Sequence, residues 1–207
     1  TQFQYLFPNQ EDIIHNTIPY IDGGASISRT ARPYPSWLIF KPAMFLTSFL
    51  LIKYWMLNKT IIEFFNKDHK HKNKILYFGI ASAIALTVHS IFLGIKFDND
   101  LYKLFRRVIM LMFIIFEIVA QAYLVSIFYS FKDKLSNYIN NRYLYLKIAL
   151  VSILIIVAII SVPIISLPGN DFLGFNLKFF KHGLEWNYFI GVILFYLFTF
   201  LMWKKNN

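Results

Sequence analysis

Five apolar runs, each about as long as a bilayer is thick, leave this chain few ways to fold. They are "WLIFKPAMFLTSFLLIKYWML" (37–57), "ILYFGIASAIALTVHSIFLGI" (75–95), "VIMLMFIIFEIVAQAYLVSIFY" (108–129), and two further runs over 143–165 and 184–203. A helix needs about 20 consecutive apolar residues to cross hydrocarbon, whereas a strand of a membrane barrel alternates over about ten. Length and continuity therefore predict an all-α, polytopic transmembrane helix bundle with five spans. Composition agrees: only 15% of the 207 residues are charged, against about 25% in an ordinary soluble domain. The connections are too short to hold a soluble domain, so residues 37–203 form one five-helix membrane domain. Residues 1–36 form an N-terminal loop and 204–207 a short tail.

The formal charge of +10 does not indicate nucleic acid, because no basic stretch separates from the apolar runs. Lysine and arginine gather at the ends of those runs, where they meet headgroups and set orientation. Lys59, Lys67, Lys70, Lys72 and Lys74 follow the first run. Lys132, Lys134, Arg142 and Lys147 flank the connection from the third run to the fourth, and Lys204-Lys205 closes the chain. With five spans these three groups share one side, which the positive-inside bias makes cytoplasmic. The opposite side takes the N-terminal loop and most of the acids: Glu11, Asp12, Asp22, Asp98, Asp100 and Asp171. Lys103, Arg106 and Arg107 run against that bias. Asn58-Lys59-Thr60 matches a glycosylation acceptor but faces the cytoplasm on this topology. A tail delivered outside, in a chain beginning at Thr1, predicts a preceding span or a cleaved leader.

There is no cysteine, which excludes disulfides, thiolate catalysis and thiolate metal ligation. The polar residues inside the runs are then the informative ones. Glu117 lies near the middle of the third run, where an ionised carboxylate costs about 2.5–3.5 kcal/mol. Gln121 follows one turn later on the same face, and Arg106 stands about 16 Å away along the helix, too far to pair directly. A neutral carboxyl hydrogen-bonded to a neighbouring helix takes precedence here over a proton-responsive or headgroup-coordinating one, since one polar pair seldom makes a site. His182 and Glu185, one turn apart, open the last run; Glu185 there fits either a helix-end carboxylate or part of an outward-facing polar vestibule. His89 sits at similar depth, with Ser82 two turns below it.

The stretch "IPYIDGGASISRTARPYPSW" (18–37) can neither span a bilayer nor build a core. Gly23-Gly24 permit a tight turn, and Pro33 and Pro35 are expected to hold the approach to the first run extended. The stretch reads as an ordered loop folded over the helix mouths, bringing Asp22, Arg29 and Arg32 toward His182 and Glu185. Together with His89 and Arg106 these residues make the candidate vestibule. Histidine and carboxylate are present, yet no H-x-x-x-H or E-x-x-H spacing occurs, so no metal is expected.

Three places resemble the DRAM/Frag/Sfk family of six-span membrane proteins, which includes the eukaryotic factor that remodels GPI-anchor lipids. "IPYIDGG" (18–24) is similar to the family's "PYIS-x-x-G" loop after its first helix, with Asp22 where the family commonly has serine. "FEIVAQAYLVSIFYSF" (116–131) resembles the span in which a glutamine precedes a serine and aromatics. "HGLEWNYFIGVILFYLFTFLMW" (182–203) resembles the last span, opened by a Glu-Trp pair. The resemblance runs over residues 18–203. It implies a sixth span ahead of the loop and a role in lipid homeostasis, lipid asymmetry or trafficking, with no catalytic residue and no cofactor to transfer.

The expected function is thus a non-catalytic membrane protein whose vestibule contacts lipid headgroups. Its expected partners are membrane lipids. A structural accessory subunit, partnered by other integral membrane subunits, is the alternative, and an intramembrane lipid-modifying enzyme the second. For the enzyme, Ser26, Ser28, His89, His182 and Asp22 are candidate parts, but no G-x-S-x-G elbow or metalloprotease motif assembles them.

Overall fold

The computed structural model describes residues 16–93, 95, 99–166, 171–172 and 175–204. Two one-turn helices come first, α1 (Pro19–Asp22) and α2 (Ile27–Thr30), followed by the long helices α3 (Ser36–Phe65), α4 (Lys72–Phe92) and α5 (Asp100–Ser130). A single turn, α6 (Lys132–Leu135), leads to α7 (Asn141–Ser166). Two-residue strands β1 (Asp171–Phe172) and β2 (Phe175–Asn176) pair antiparallel, Asp171 opposite Asn176, and deliver the chain to α8 (Leu177–Met202). Five helices among the described residues are long and apolar enough to cross a membrane. The chain is an all-α bundle of membrane-spanning length.

The burial pattern identifies the surroundings. Ile39, Phe64, Phe200 and Ile159 point outward, each more than two-thirds exposed, while Glu117, Gln121 and Ser82 are completely enclosed. Water around the bundle would favour the reverse; hydrocarbon favours this arrangement. α4 packs between α3 and α5, and α8 lies against α7, with α7 also touching α5. The α3–α4 contact is close because Gly79 has no side chain: a Cβ there would stand 2.2 Å from Cγ of Trp55. Trp55 itself is fully buried and joins Leu124, Phe128 and Phe195 in the core.

The helices outrun the apolar stretches, which corrects several sequence expectations. α5 begins at Asp100, capped by Asn99 Oδ1 accepting from the Leu101 amide at 2.9 Å. Asp100, Arg106 and Arg107 are therefore helical. α8 begins at Leu177, where Asn176 Oδ1 accepts from the Lys178 and Phe179 amides at 3.0 and 3.4 Å. Glu185 thus lies two turns inside the helix and does not cap it. A hydropathy pattern marks only where a helix is apolar; the cap marks where it starts. α3 continues to Phe65, so Asn58 of the glycosylation pattern is helical and buried, its Nδ2 donating to the Tyr54 carbonyl at 2.8 Å. The approach to α3 is also turned, not extended: Pro35 caps the helix at φ −93°, ψ 3°, and the Trp37 amide donates back to the Pro33 carbonyl at 3.2 Å. Proline's fixed φ suits a turn or a helix start as well as an extended strand.

One end of the bundle gathers residues 16–35, the end of α4 and the start of α5. The other gathers 66–71 and 131–140, where the Lys204 amide donates to the Tyr138 carbonyl at 2.9 Å and the Asn140 amide to that of Met202 at 2.8 Å. We call these the loop end and the lysine end. Glu11, Asp12, Asp98 and Lys205 lie outside the described residues, as do the side chains of Lys103 and Asp171.

Candidate functional site

Polar groups collect at two levels. At the loop end, residues 20–25 are strapped onto α8 by three long-range hydrogen bonds. His182 Nδ1 lies 2.9 Å from the Gly23 carbonyl, Trp186 Nε1 donates to the Ala25 carbonyl at 2.9 Å, and Asn187 Nδ2 donates to that of Tyr20 at 2.9 Å. A carbonyl only accepts, so His182 carries its proton on Nδ1. Gly23 makes the approach possible twice over. It ends α1 at φ +67°, and a Cβ there would fall 1.8 Å from the Phe179 carbonyl oxygen.

Asp22 serves the loop itself. Its carboxylate accepts from the Thr17 hydroxyl at 2.6 Å and from the Ile18 and Gly24 amides at 2.7 and 2.8 Å. Those donors, the Thr17 hydroxyl foremost, hold the carboxyl below the usual carboxylate range. Ser26 caps α2 by accepting from the Arg29 amide at 3.2 Å, and Ser28 accepts from Arg32 Nη2 at 3.1 Å. Both hydroxyls proposed as catalytic parts are thus engaged in shaping the loop.

Arg32, Arg106, His89 and Glu185 come from four different elements. Arg32 feels Arg106 and Arg29 as like charges and Glu185 as an opposite one; partial burial, then those two guanidiniums, lower it from the ordinary arginine value. Arg106 also lies over the Tyr102 ring at 5.9 Å and acts as a like charge on His89. Glu185 feels the Ile27 amide of α2 and the Arg32 guanidinium. Three of these side chains keep a buried polar atom with no hydrogen-bond partner among the described residues: Arg106 Nε, His89 Nδ1 and Glu185 Oε2. Buried polar groups are almost always paired, so these open atoms mark the loop end as a candidate site. Arg29 is exposed beside this group.

The second level is mid-bundle. Glu117 is fully buried and receives three donors: Ser82 of α4 at 2.7 Å on Oε2, and Gln121 Nε2 at 3.0 Å and the Tyr196 hydroxyl of α8 on Oε1. Tyr196 packs edge-on against Tyr54 of α3, with centroids 4.9 Å apart, and the Tyr54 hydroxyl lies 3.3 Å from Thr199 Oγ1. Thr199 Oγ1 also accepts from Lys147 Nζ at 2.7 Å, whose ammonium stands 4.0 Å from the Phe195 ring. All five long helices therefore contribute to one polar layer. No family model, curated protein or solved structure matches this chain. Its site must be read from its own geometry.

Sequence reasoning located Glu117 and Gln121 by their depth but not their partners on α4 and α8. It counted Lys147 among the headgroup-facing cations, whereas only 1% of the residue is exposed. Lys147 stands six residues inside α7, and its burial follows from which face of α7 meets α8. No run of hydropathy reports that. Among the described residues, no three His, Asp or Glu side chains converge as metal ligands.

Proposed function

We propose that this protein is a non-catalytic membrane protein acting in lipid homeostasis or trafficking, as its resemblance to the DRAM/Frag/Sfk family implies. Its loop-end vestibule takes lipid headgroups. The reading rests on Arg106 Nε and Glu185 Oε2, both buried and without a partner among the described residues, at the end where the loop is strapped to α8. A guanidinium suits a phosphate oxygen, and a carboxylate suits an ammonium, so a zwitterionic headgroup completes both. The lysine clusters at the opposite end support a loop end outside the cytoplasm and a C-terminus inside.

The test is mass spectrometry of lipids retained by the full chain purified in mild detergent, with single-cysteine variants of this cysteine-free protein reporting the side. Retained phospholipid that is lost in Arg106→Gln, with a loop-end cysteine labelled from the non-cytoplasmic face, supports the reading. Equal retention by Arg106→Gln and the unaltered chain removes it.

A further inference from the structure

The mid-bundle layer carries an inference independent of the lipid reading, and it starts from a count of protons. Ser82 Oγ lies 2.8 Å from the Gly79 carbonyl oxygen and 2.7 Å from Glu117 Oε2, both at donating distance. A serine hydroxyl has one proton and two lone pairs. It can satisfy only one of these two acceptors at a time. If its proton turns to Glu117 while Gln121 and Tyr196 donate to Oε1, the carboxylate is ionised and holds three donors. If its proton turns to Gly79, the short contact to Oε2 is a hydrogen bond only when Glu117 is the donor, that is, when it is protonated.

We propose that Glu117 is a proton-binding site, with the Ser82 hydroxyl as the rotor that serves both of its states. One proton from solvent binds Oε2; the Ser82 proton swings from Glu117 to the Gly79 carbonyl; the new Oε2–H donates to Ser82 Oγ. No bond between heavy atoms forms or breaks, and no heavy atom needs to move. Oε1 keeps Tyr196 and Gln121 in both states. Those bonds are charge-assisted when Glu117 is ionised and neutral when it is not, which roughly halves their strength. Protonation therefore relaxes the hold of α5 on α8 while keeping the contact.

The surroundings fit such a site. α4 presents Ser82, and α5 presents Gln121, whose Oε1 is buried without a partner among the described residues. α8 presents Tyr196 and, two turns nearer the loop end, Tyr188, whose hydroxyl donates to the Ile114 carbonyl at 3.2 Å. α3 presents Tyr54, and α7 presents the ammonium of Lys147 through Thr199. Glu185, Tyr188, Tyr196 and Thr199 fall on one face of α8 at helical spacing, a polar stripe leading from the loop-end cluster to Glu117.

Infrared difference spectroscopy of the full chain in lipid nanodiscs tests the site, titrated from about pH 3 to about pH 10 to bracket the carboxyl and histidine ranges. A protonated-carboxyl stretching band is expected to grow as pH falls, to shift on deuteration, and to vanish in the isosteric variant Glu117→Gln. In Ser82→Ala the band is expected to move in frequency, because the acid loses the oxygen it donates to. A band lost in Glu117→Gln but constant across the range, or no such band at any pH, overturns proton exchange at Glu117. A titrating band that Ser82→Ala leaves in place overturns the rotor.

Discussion

His182 Nδ1 and the Gly23 carbonyl oxygen are 2.9 Å apart in space and 159 residues apart in sequence. That bond joins a one-turn helix, too short to hold itself, to the second turn of α8. It is one of three side chain-to-carbonyl bonds from α8 to the loop, the others coming from Trp186 and Asn187. The loop is thus held by α8 through its backbone, so its position depends on main-chain geometry more than on which side chains it carries.

Gly23→Ala should detach it. The new methyl would stand 1.8 Å from a backbone oxygen and the residue would have to keep φ +67°. A left-handed conformation alone costs a non-glycine residue about 1 kcal/mol or more. We expect amide exchange over residues 18–31 to rise at least tenfold with the helices unchanged, as measured by mass spectrometry. Exchange equal to that of the unaltered chain would show that the strap does not need this approach.

The loop should also respond to acid. The Asp22 carboxyl is held below its ordinary value, so the stability it contributes is complete above that value, near pH 3.9. It is lost as pH falls through the lower folded value. Protection of the Ile18 and Gly24 amides should therefore fall at acid pH in the unaltered chain. In Asp22→Asn it should be weaker at neutral pH and flat across that acid range. Identical profiles in the two proteins would assign the loop's acid response elsewhere.

Lys147 makes a different case. Among the described residues its ammonium has one hydrogen-bond acceptor, Thr199 Oγ1, and one aromatic face, Phe195, in an enclosed place. Removing a buried charge for an apolar side chain of similar length is often neutral or stabilising, whereas removing its partner costs about 3 kcal/mol or more. Thermal unfolding in detergent should show Lys147→Met near or above the unaltered chain and Thr199→Val well below it. The reverse order would mean that the ammonium itself holds α7 to α8.

Some of this was legible in the residues and some was not, for definite reasons. Apolar runs of bilayer length dictate helices whatever their neighbours, because no other lone segment satisfies its own backbone in hydrocarbon. Depth likewise singled out Glu117 and Gln121, and glycine's freedom singled out Gly23. The sequence also carried the caps Asn99 and Asn176, each followed by a helix-forming run, a signal that would have placed Arg106 and Glu185 inside helices. Partnership was another matter. That Ser82 meets Glu117 across 35 residues, and that Lys147 turns inward to Thr199 across 52, depends on which helix faces meet. A periodic apolar pattern cannot tell those faces apart when the helices are apolar nearly all round. Only the packed bundle, with Gly79 admitting Trp55 and α8 carrying its polar stripe inward, decided them.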